Sequence, residues 1–559
     1  MARSLLWVLL AAVLVPPPGY SRAAAQAPTG TLHVKVTISG ADQNARPVPR
    51  HALLISANPT SAAPRRAVTA LDGTAQITLE AGNYTVESDQ AFVFEGQAYE
   101  WSQTLDVAAG RTTSLELTAA NAHIETAAAA AASVAGAANV EGSPSGLLFE
   151  WQNSVVSIWS ATTLGAGFLI DARGLIVTNQ RLVGTAASLE IQLSPAQKVT
   201  ARVLATDADR NVAVLWIDPK AAAAARPVKL GYSDGPVAPP EPQRVFAINA
   251  PMLDDKHVTS GAVSRVTAHT ILSDIRVDDE SLGAPLFDAA GAVVGITAPE
   301  DQTSGGGAGA TRAVRIDDAR TVIAAAQEKM GHVEAPSATL LPVEPAREFP
   351  DTALKEAAER RKGNLAPYRV PAADFDVGLI TPVLVYSARH QGERAPGRDR
   401  GDAVRDQYAI QAARRALEDF ANWWDYVRSD RPLLMIRAAP KQVEGFWKSV
   451  LRGAAQTQGL SLPAIKHVKA GFARMRLFCG DAEVTPIHPF KIEQRFGETE
   501  AVYEGFYVFD PGAIGPHCSS VRLTLFSDKA PDRGDTRVVD AKIVEQVWQD
   551  FAPYRASGG

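Results

Sequence analysis

Between residues 147 and 330 the chain repeats one pattern: a short apolar run rich in β-branched residues, a glycine or polar turn, then another run. NSVVSIWS, GAGFLIDARGLIVTNQRLV and DADRNVAVLWID make a first set, and HVTSGAVSRV and SDIRVDDESLGAPLFDAAGAVVGIT make a second. Runs of this length between turns suit strands and are short for helices. Two successive sets predict a pair of barrels, because short antiparallel strands lose their open edges only by closing.

The flanks differ in character. At 559 residues the chain has room for about three or four domains. Residues 1–25 carry Arg3, then an apolar run of 11 residues from Leu5 to Val15, then Ala23 and Ala25 in an A-x-A arrangement. This reads as a cleaved export signal, the alternative being an uncleaved anchor. Residues 29–121 read as all-β: Leu32, Val34, Val36 and Ile38 alternate with polar residues, and Asp72-Gly73 and Gly82 mark turns around Ala75, Ile77 and Leu79. Residues 122–146 are rich in Ala, Gly and Ser and predict a linker. Residues 331–368, rich in Pro and charge, predict a second linker with a short helix near 353–362. Residues 369–559 predict an α+β domain of no recognised family. Its elements are a strand at 380–386, an amphipathic helix over 402–428, strands KIEQRF, AVYEGFYVFD and SVRLTLFS, and a closing helix at 541–552. Trp423 and Trp424 on the long helix read as core residues or as a ligand platform.

The ordered segments of 147–330 resemble the trypsin-like serine proteases of the high-temperature-requirement (HtrA) family. That family reads S-V-V-x-I, then G-x-I-V-T-N-x-H-V-V, then D-x-x-x-D-I-A-V-L, then V-T-x-G-I-V-S, then T-D-A-x-I-N-x-G-N-S-G-G-P-L. The resemblance implies a double β-barrel and acyl transfer by a Ser-His-Asp triad. Carried over residue by residue, the triad is missing. Arg181 stands at the base position, and a guanidinium cannot accept a proton. Asn211 stands at the carboxylate position. Ser273-Asp274 on one side and Pro285-Leu286-Phe287 on the other place Leu282 at the nucleophile. Glu280 falls on the glycine of the oxyanion hole, where a carboxylate would oppose developing negative charge. Ser281, one position early, is the fallback nucleophile. Arg181 is predicted to pair with Asp278, Asp279 or, first among them, Glu280, the alternative being that each is solvated. The segment ALDGTAQITLEAGNYTVES of the N-terminal region resembles the carboxypeptidase-regulatory, prealbumin-like β-sandwich, which supports or binds and carries no catalytic residues.

The fold expected is therefore multidomain and mainly β: a β-sandwich, a trypsin-like double barrel at 147–330, and an α+β domain. The formal charge of −6 argues against nucleic acid as the main partner. Cys479 and Cys518, with 38 residues between them, predict one disulfide in an exported protein. A metal site using them with His488 and His517, or two free thiols, are the alternatives. The leading functional expectation is a periplasmic or secreted pseudoprotease that binds protein or extended peptide segments of the envelope, with no cofactor and no membrane span after signal cleavage. Two others stand beside it: an active serine endopeptidase with an unconventional site, and a structural envelope protein whose activity lies in residues 369–559.

Overall fold

A computed structural model describes residues 28–39, 44–59, 63–126, 144–233, 244–250, 256–277, 281–298, 311–360, 368–390, 431–444, 466–496 and 500–556. The predicted leader, residues 127–143 of the first linker, and the predicted helix 402–428 with Trp423 and Trp424 lie outside these residues. The chain divides into two compact units, residues 1–126 and 127–559.

In the first unit, strand Thr29–Ser39 pairs antiparallel with Thr74–Glu80 and with Ala45–Pro47, and parallel with Thr112–Leu117. A second sheet runs in the order Arg65–Val68, Ala52–Asn58, Gly82–Ser88, Ser102–Val107. Leu32, Val34, Val36 and Ile38 are at most 1% exposed, and Leu53, Ile55 and Val86 of the second sheet at most 2%. Each sheet thus gives one apolar face to a sandwich core. Gly73 takes φ +76°, and a Cβ there would meet Val36 O at 2.5 Å, so the Asp72-Gly73 turn needs its glycine. One difference from expectation is His123–Thr126, which composition put in the linker. It pairs as a strand with Gln97–Glu100. All four of its residues are exposed, so main-chain pairing forms it and no hydrophobic alternation announces it.

The second unit begins with two closed six-stranded barrels. The first contains Val155–Trp159, Leu164–Asp171, Leu175–Thr178, Ser188–Ser194, Gln197–Asp207 and Val212–Trp216. The second contains Arg244–Asn249, His257–Val266, Thr270–Ser273, Pro285–Phe287, Val293–Ala298 and Thr311–Arg315. Both close in the same strand order, first-second-third-sixth-fifth-fourth. Val156, Ile158, Ile176, Ile191, Val199 and Leu215 fill the first barrel, and Val245, Ala247, Ile275 and Leu286 the second.

Residues beyond 330 form α+β structure. A five-stranded sheet runs Arg369–Pro371, Phe375–Ile380, Leu434–Pro440, Glu500–Phe509, His488–Phe496. A four-stranded sheet runs Ala482–Val484, Phe472–Cys479, Val521–Ser527, Ala530–Val538. The predicted strand 380–386 is instead a helix, Pro382–His390. Its β-branched content suggested a strand, but Thr381-Pro382 is a helix start: the Thr381 hydroxyl accepts from Leu384 N at 3.3 Å, and proline lacks only an N–H that has no intrahelical partner. Part of the predicted second linker is packed structure. Phe349, Leu354 and Tyr368 are at most 3% exposed in the core of the C-terminal region, and helix Asp351–Arg360 lies among them. Its proline and charge content hid an apolar stripe.

Cys479 and Cys518 form a disulfide and no free cysteine remains. His517 lies beside it, but both sulfurs are spent on each other, and His488 is bonded elsewhere. The bridge ties the end of strand Phe472–Cys479 to the loop that leads into strand Val521–Ser527, where Cys479 faces Val521 in register. Closing a loop of this size contributes about 4 kcal/mol through the unfolded chain. Cys479→Ser is expected to lower the thermal midpoint in non-reducing buffer, and a thiol reductant to bring the parent to the variant's value.

Candidate functional site

The junction of the two barrels carries the residues that the resemblance assigns to catalysis. Strand Leu175–Thr178 ends in the helical turn Gln180–Val183, which places Arg181 on its solvent side and Leu182 and Val183 in the barrel core. Asn179 caps that turn: its Oδ1 accepts from Arg181 N at 2.9 Å. Asn211 enters from the next loop in a left-handed conformation, φ 57°, which asparagine tolerates better than most residues. Its Oδ1 accepts from the same Arg181 N at 3.1 Å, and its carbonyl accepts from Gln180 N at 3.3 Å. The Asn211 side chain is thus bound to the backbone of residue 181.

The third segment is stitched across the junction. Leu282 O accepts from Ala166 N of the first barrel at 2.8 Å. Gly283 has φ +92° and donates its N–H to Thr297 O at 2.9 Å. Thr178 Oγ1 donates to Ala166 O at 2.7 Å, so one first-barrel strand serves both segments. Ser281 is fully buried; its Oγ accepts from Ala250 N at 3.1 Å and its carbonyl accepts from Thr297 Oγ1 at 3.0 Å. Asp278, Asp279 and Glu280 lie outside the described residues, as does their predicted contact with Arg181. Of the two histidines of the barrel pair, His257 is near Asn249 at 3.2 Å and His269 is near Asp318 at 3.1 Å.

Comparison with known proteins addresses the barrels. Residues 165–296 match the Trypsin-like peptidase domain family. A probable periplasmic serine endoprotease, DegP-like, of Pseudomonas fluorescens is 35% identical over 170 residues, covering 29% of this chain and 34% of that protein. The double barrel is a trypsin-like domain, similar in sequence to DegP-like proteases of the HtrA type. A chloroplastic Protease Do-like 1 of Arabidopsis thaliana is 31% identical over 166 residues, covering 27% of this chain and 37% of that protein. The chain thus spans about a third of the length of the curated relatives it matches. A solved serine endoprotease from Yersinia pestis is 21% identical with a TM-score of 0.29, covering 33% of this chain and 65% of that one. No helix among the described residues is long and apolar enough to cross a membrane.

Sequence reasoning missed Lys256, which ties the two halves of the HtrA-type domain together. Its ammonium donates to Gln152 O at 2.6 Å and to Val155 O, at the point where helix Pro144–Trp151 leads into the first barrel. Part of its stem reaches solvent, but the charged end sits inside the junction, and burial pulls it from 10.5 to about 8. The only sequence signal was a lysine before a strand, which reads as surface.

Two predictions arise here. Gly283→Ala would put a Cβ 2.3 Å from Ala166 O and 2.4 Å from Thr178 Oγ1, at a φ that alanine disfavours. The strain and the clash together are expected to cost about 2–4 kcal/mol, read as a lowered melting midpoint. For Lys256 the folded protein holds fewer protons than the unfolded chain between pH 8 and 10.5. Stability attributable to this group therefore rises with pH across that window and is flat below it. Lys256→Met is expected to abolish the rise, measured as the midpoint difference between parent and variant from pH 7 to 9.5.

Proposed function

We propose that this protein binds extended polypeptide through a trypsin-like domain that no longer hydrolyses it. One observation carries the reading: the polar groups at the assigned catalytic positions are bonded to nearby backbone, and the Leu282 carbonyl bridges to Ala166 of the first barrel. Residue 181 is an arginine, which cannot serve as a general base, and the Asn211 amide oxygen is bound to its backbone N–H. Leu282 has no nucleophilic atom. Ser281 has one, but that oxygen is buried and accepts a hydrogen bond from Ala250 N. Loss of a triad member lowers the turnover of such enzymes by roughly four to six powers of ten.

What survives loss of the triad is the sheet architecture. An extended segment can add to a strand edge through main-chain hydrogen bonds, with side-chain pockets supplying selectivity, and neither needs a nucleophile. The setting is periplasmic or secreted, as the DegP-like relatives are described as periplasmic. The partner class that fits is an unfolded or extended protein segment of the envelope.

The test uses the full chain with reduced, carboxymethylated casein. Fluorescence anisotropy reads binding, and mass spectrometry reads new termini after prolonged incubation. The expected result is binding without new termini, unchanged in Ser281→Ala. New termini that disappear in Ser281→Ala would overturn the reading in favour of an active endopeptidase. Absence of binding would overturn the polypeptide-binding role.

A further inference from the structure

Four titratable side chains meet where the first barrel, the segment near residue 344 and the five-stranded sheet converge. Glu190 and Lys198 come from neighbouring strands of the barrel, and His488 begins the edge strand of the sheet. The Lys198 and His488 side chains are 0% exposed, Glu344 is 9% and Glu190 21%. Lys198 Nζ donates to Ile487 O and stands 3.3 Å from Glu190 Oε2. Leu341 N donates to Lys198 O at 2.8 Å, which brings the Glu344 segment alongside.

His488 is the centre of this cluster. Its Nε2 lies 2.7 Å from Glu344 Oε1 and its Nδ1 lies 3.6 Å from Glu190 Oε2. Its ring packs against Trp159, centroids 4.1 Å apart, and stacks on Phe490 at 4.8 Å. A neutral imidazole has one N–H and one lone pair, so in either tautomer it turns a lone pair towards a carboxylate. Only the imidazolium donates an N–H to Glu344 and at the same time turns an N–H and positive charge towards Glu190, whose oxygen at 3.6 Å lies beyond hydrogen-bond range. The charges agree: one lysine and two carboxylates leave a buried excess negative charge, which a second cation cancels, and an uncompensated buried charge is costly. Burial pushes the Glu344 carboxyl up, but the hydrogen bond and charge of His488, with Lys198 beyond, outweigh it and hold the carboxyl at about 2.

We propose that His488 is a proton-operated latch joining the first barrel to the C-terminal sheet, closed by the imidazolium and loosened when the ring gives up its second proton. The groups facing it are Glu190 and Lys198 from the barrel and Glu344 from the connecting segment. On the neighbouring strand Tyr507 senses Glu190 but remains a phenol, raised first by burial. Glu504 of that strand is closed on Arg437 at 2.9 Å. Lys491, on the same strand as His488, donates its backbone N–H to Ala161 O at 2.6 Å and adds a second tie to the barrel that no proton controls. Loss of the proton therefore loosens the interface around His488 and leaves the sheet attached at Lys491.

The test uses the full chain. Nitrogen NMR of 15N-histidine protein, with His488→Gln to assign the signal, reads the ring directly. At pH 6 both ring nitrogens are expected in the imidazolium range. Amide protection factors over 487–492 and 341–344 are expected to fall about tenfold or more as the pH is raised to 9. Glu190→Gln removes one facing charge and is expected to move that fall to lower pH. His488→Gln is expected to abolish its pH dependence. A neutral His488 ring at pH 6 would overturn the latch, and this reading needs only the parent protein. Protection that falls with pH identically in His488→Gln would overturn it as well.

Discussion

The five-stranded sheet of the C-terminal region has two apolar faces, and a sheet with two apolar faces must be covered twice. On strand Glu500–Phe509, Tyr507 and Phe509 turn to the core with the helices, whereas Phe506 and Val508 turn the other way, onto Trp159 and Leu164 of the first barrel. On the neighbouring strand, Leu434 and Ile436 take the first face and Met435 the second. The barrel is the second cover. This explains why the Pro-rich segment between them is packed, and why ionisable groups lie buried at the join. Lys198 and His488 lie at the border of that apolar contact, where pairing with Glu190 and Glu344 makes their burial tolerable.

The same economy is visible at the barrel junction. In a hydrolase of this fold the loop segments hold reactive groups in position. Here the segments keep their shape and give their polar atoms to one another: Asn179 and Asn211 to the Arg181 N–H, Ser281 to Ala250, and Leu282 to Ala166. A site retained as a joint explains how the fold persists without the chemistry proposed to be lost. Gly283 marks how tight the joint is, with no room for a Cβ against Ala166 and Thr178.

Much of the fold was legible because its signals are local. Alternation over Leu32 to Ile38, the Asp72-Gly73 turn, and the ordered barrel segments each depend on a few neighbouring residues. The errors share a cause. The predicted strand 380–386 is helical from Pro382 on; its β-branched residues outweigh, in sequence, a start signal whose cap is a single hydroxyl. Residues 123–126 form a strand through main-chain pairing alone, and sequence carries no mark of that. Residues 331–368 looked like linker because composition was averaged over a stretch in which Phe349, Leu354 and Tyr368 are the ones that matter. Of the candidate site, the residue types were readable but their bonding was not. Nothing in the sequence says that the Ser281 hydroxyl points inward to a backbone N–H.

By itself the sequence determined the mainly β character, the barrel pair, the arginine at position 181 and a pair of cysteines close enough in sequence to bridge. These follow from periodicity, residue chemistry and the shortage of alternative partners, all of which act over short distances along the chain or depend on residue identity alone. Only the tertiary structure decided that the sheet at 369–509 shares a core with the first barrel, that Lys256 binds across the junction, and that Glu190, Lys198, Glu344 and His488 form one buried cluster. Those residues are separated by up to 298 positions (Glu190 to His488). Their charges read as surface one at a time, and only the packing that removes water makes each depend on the others.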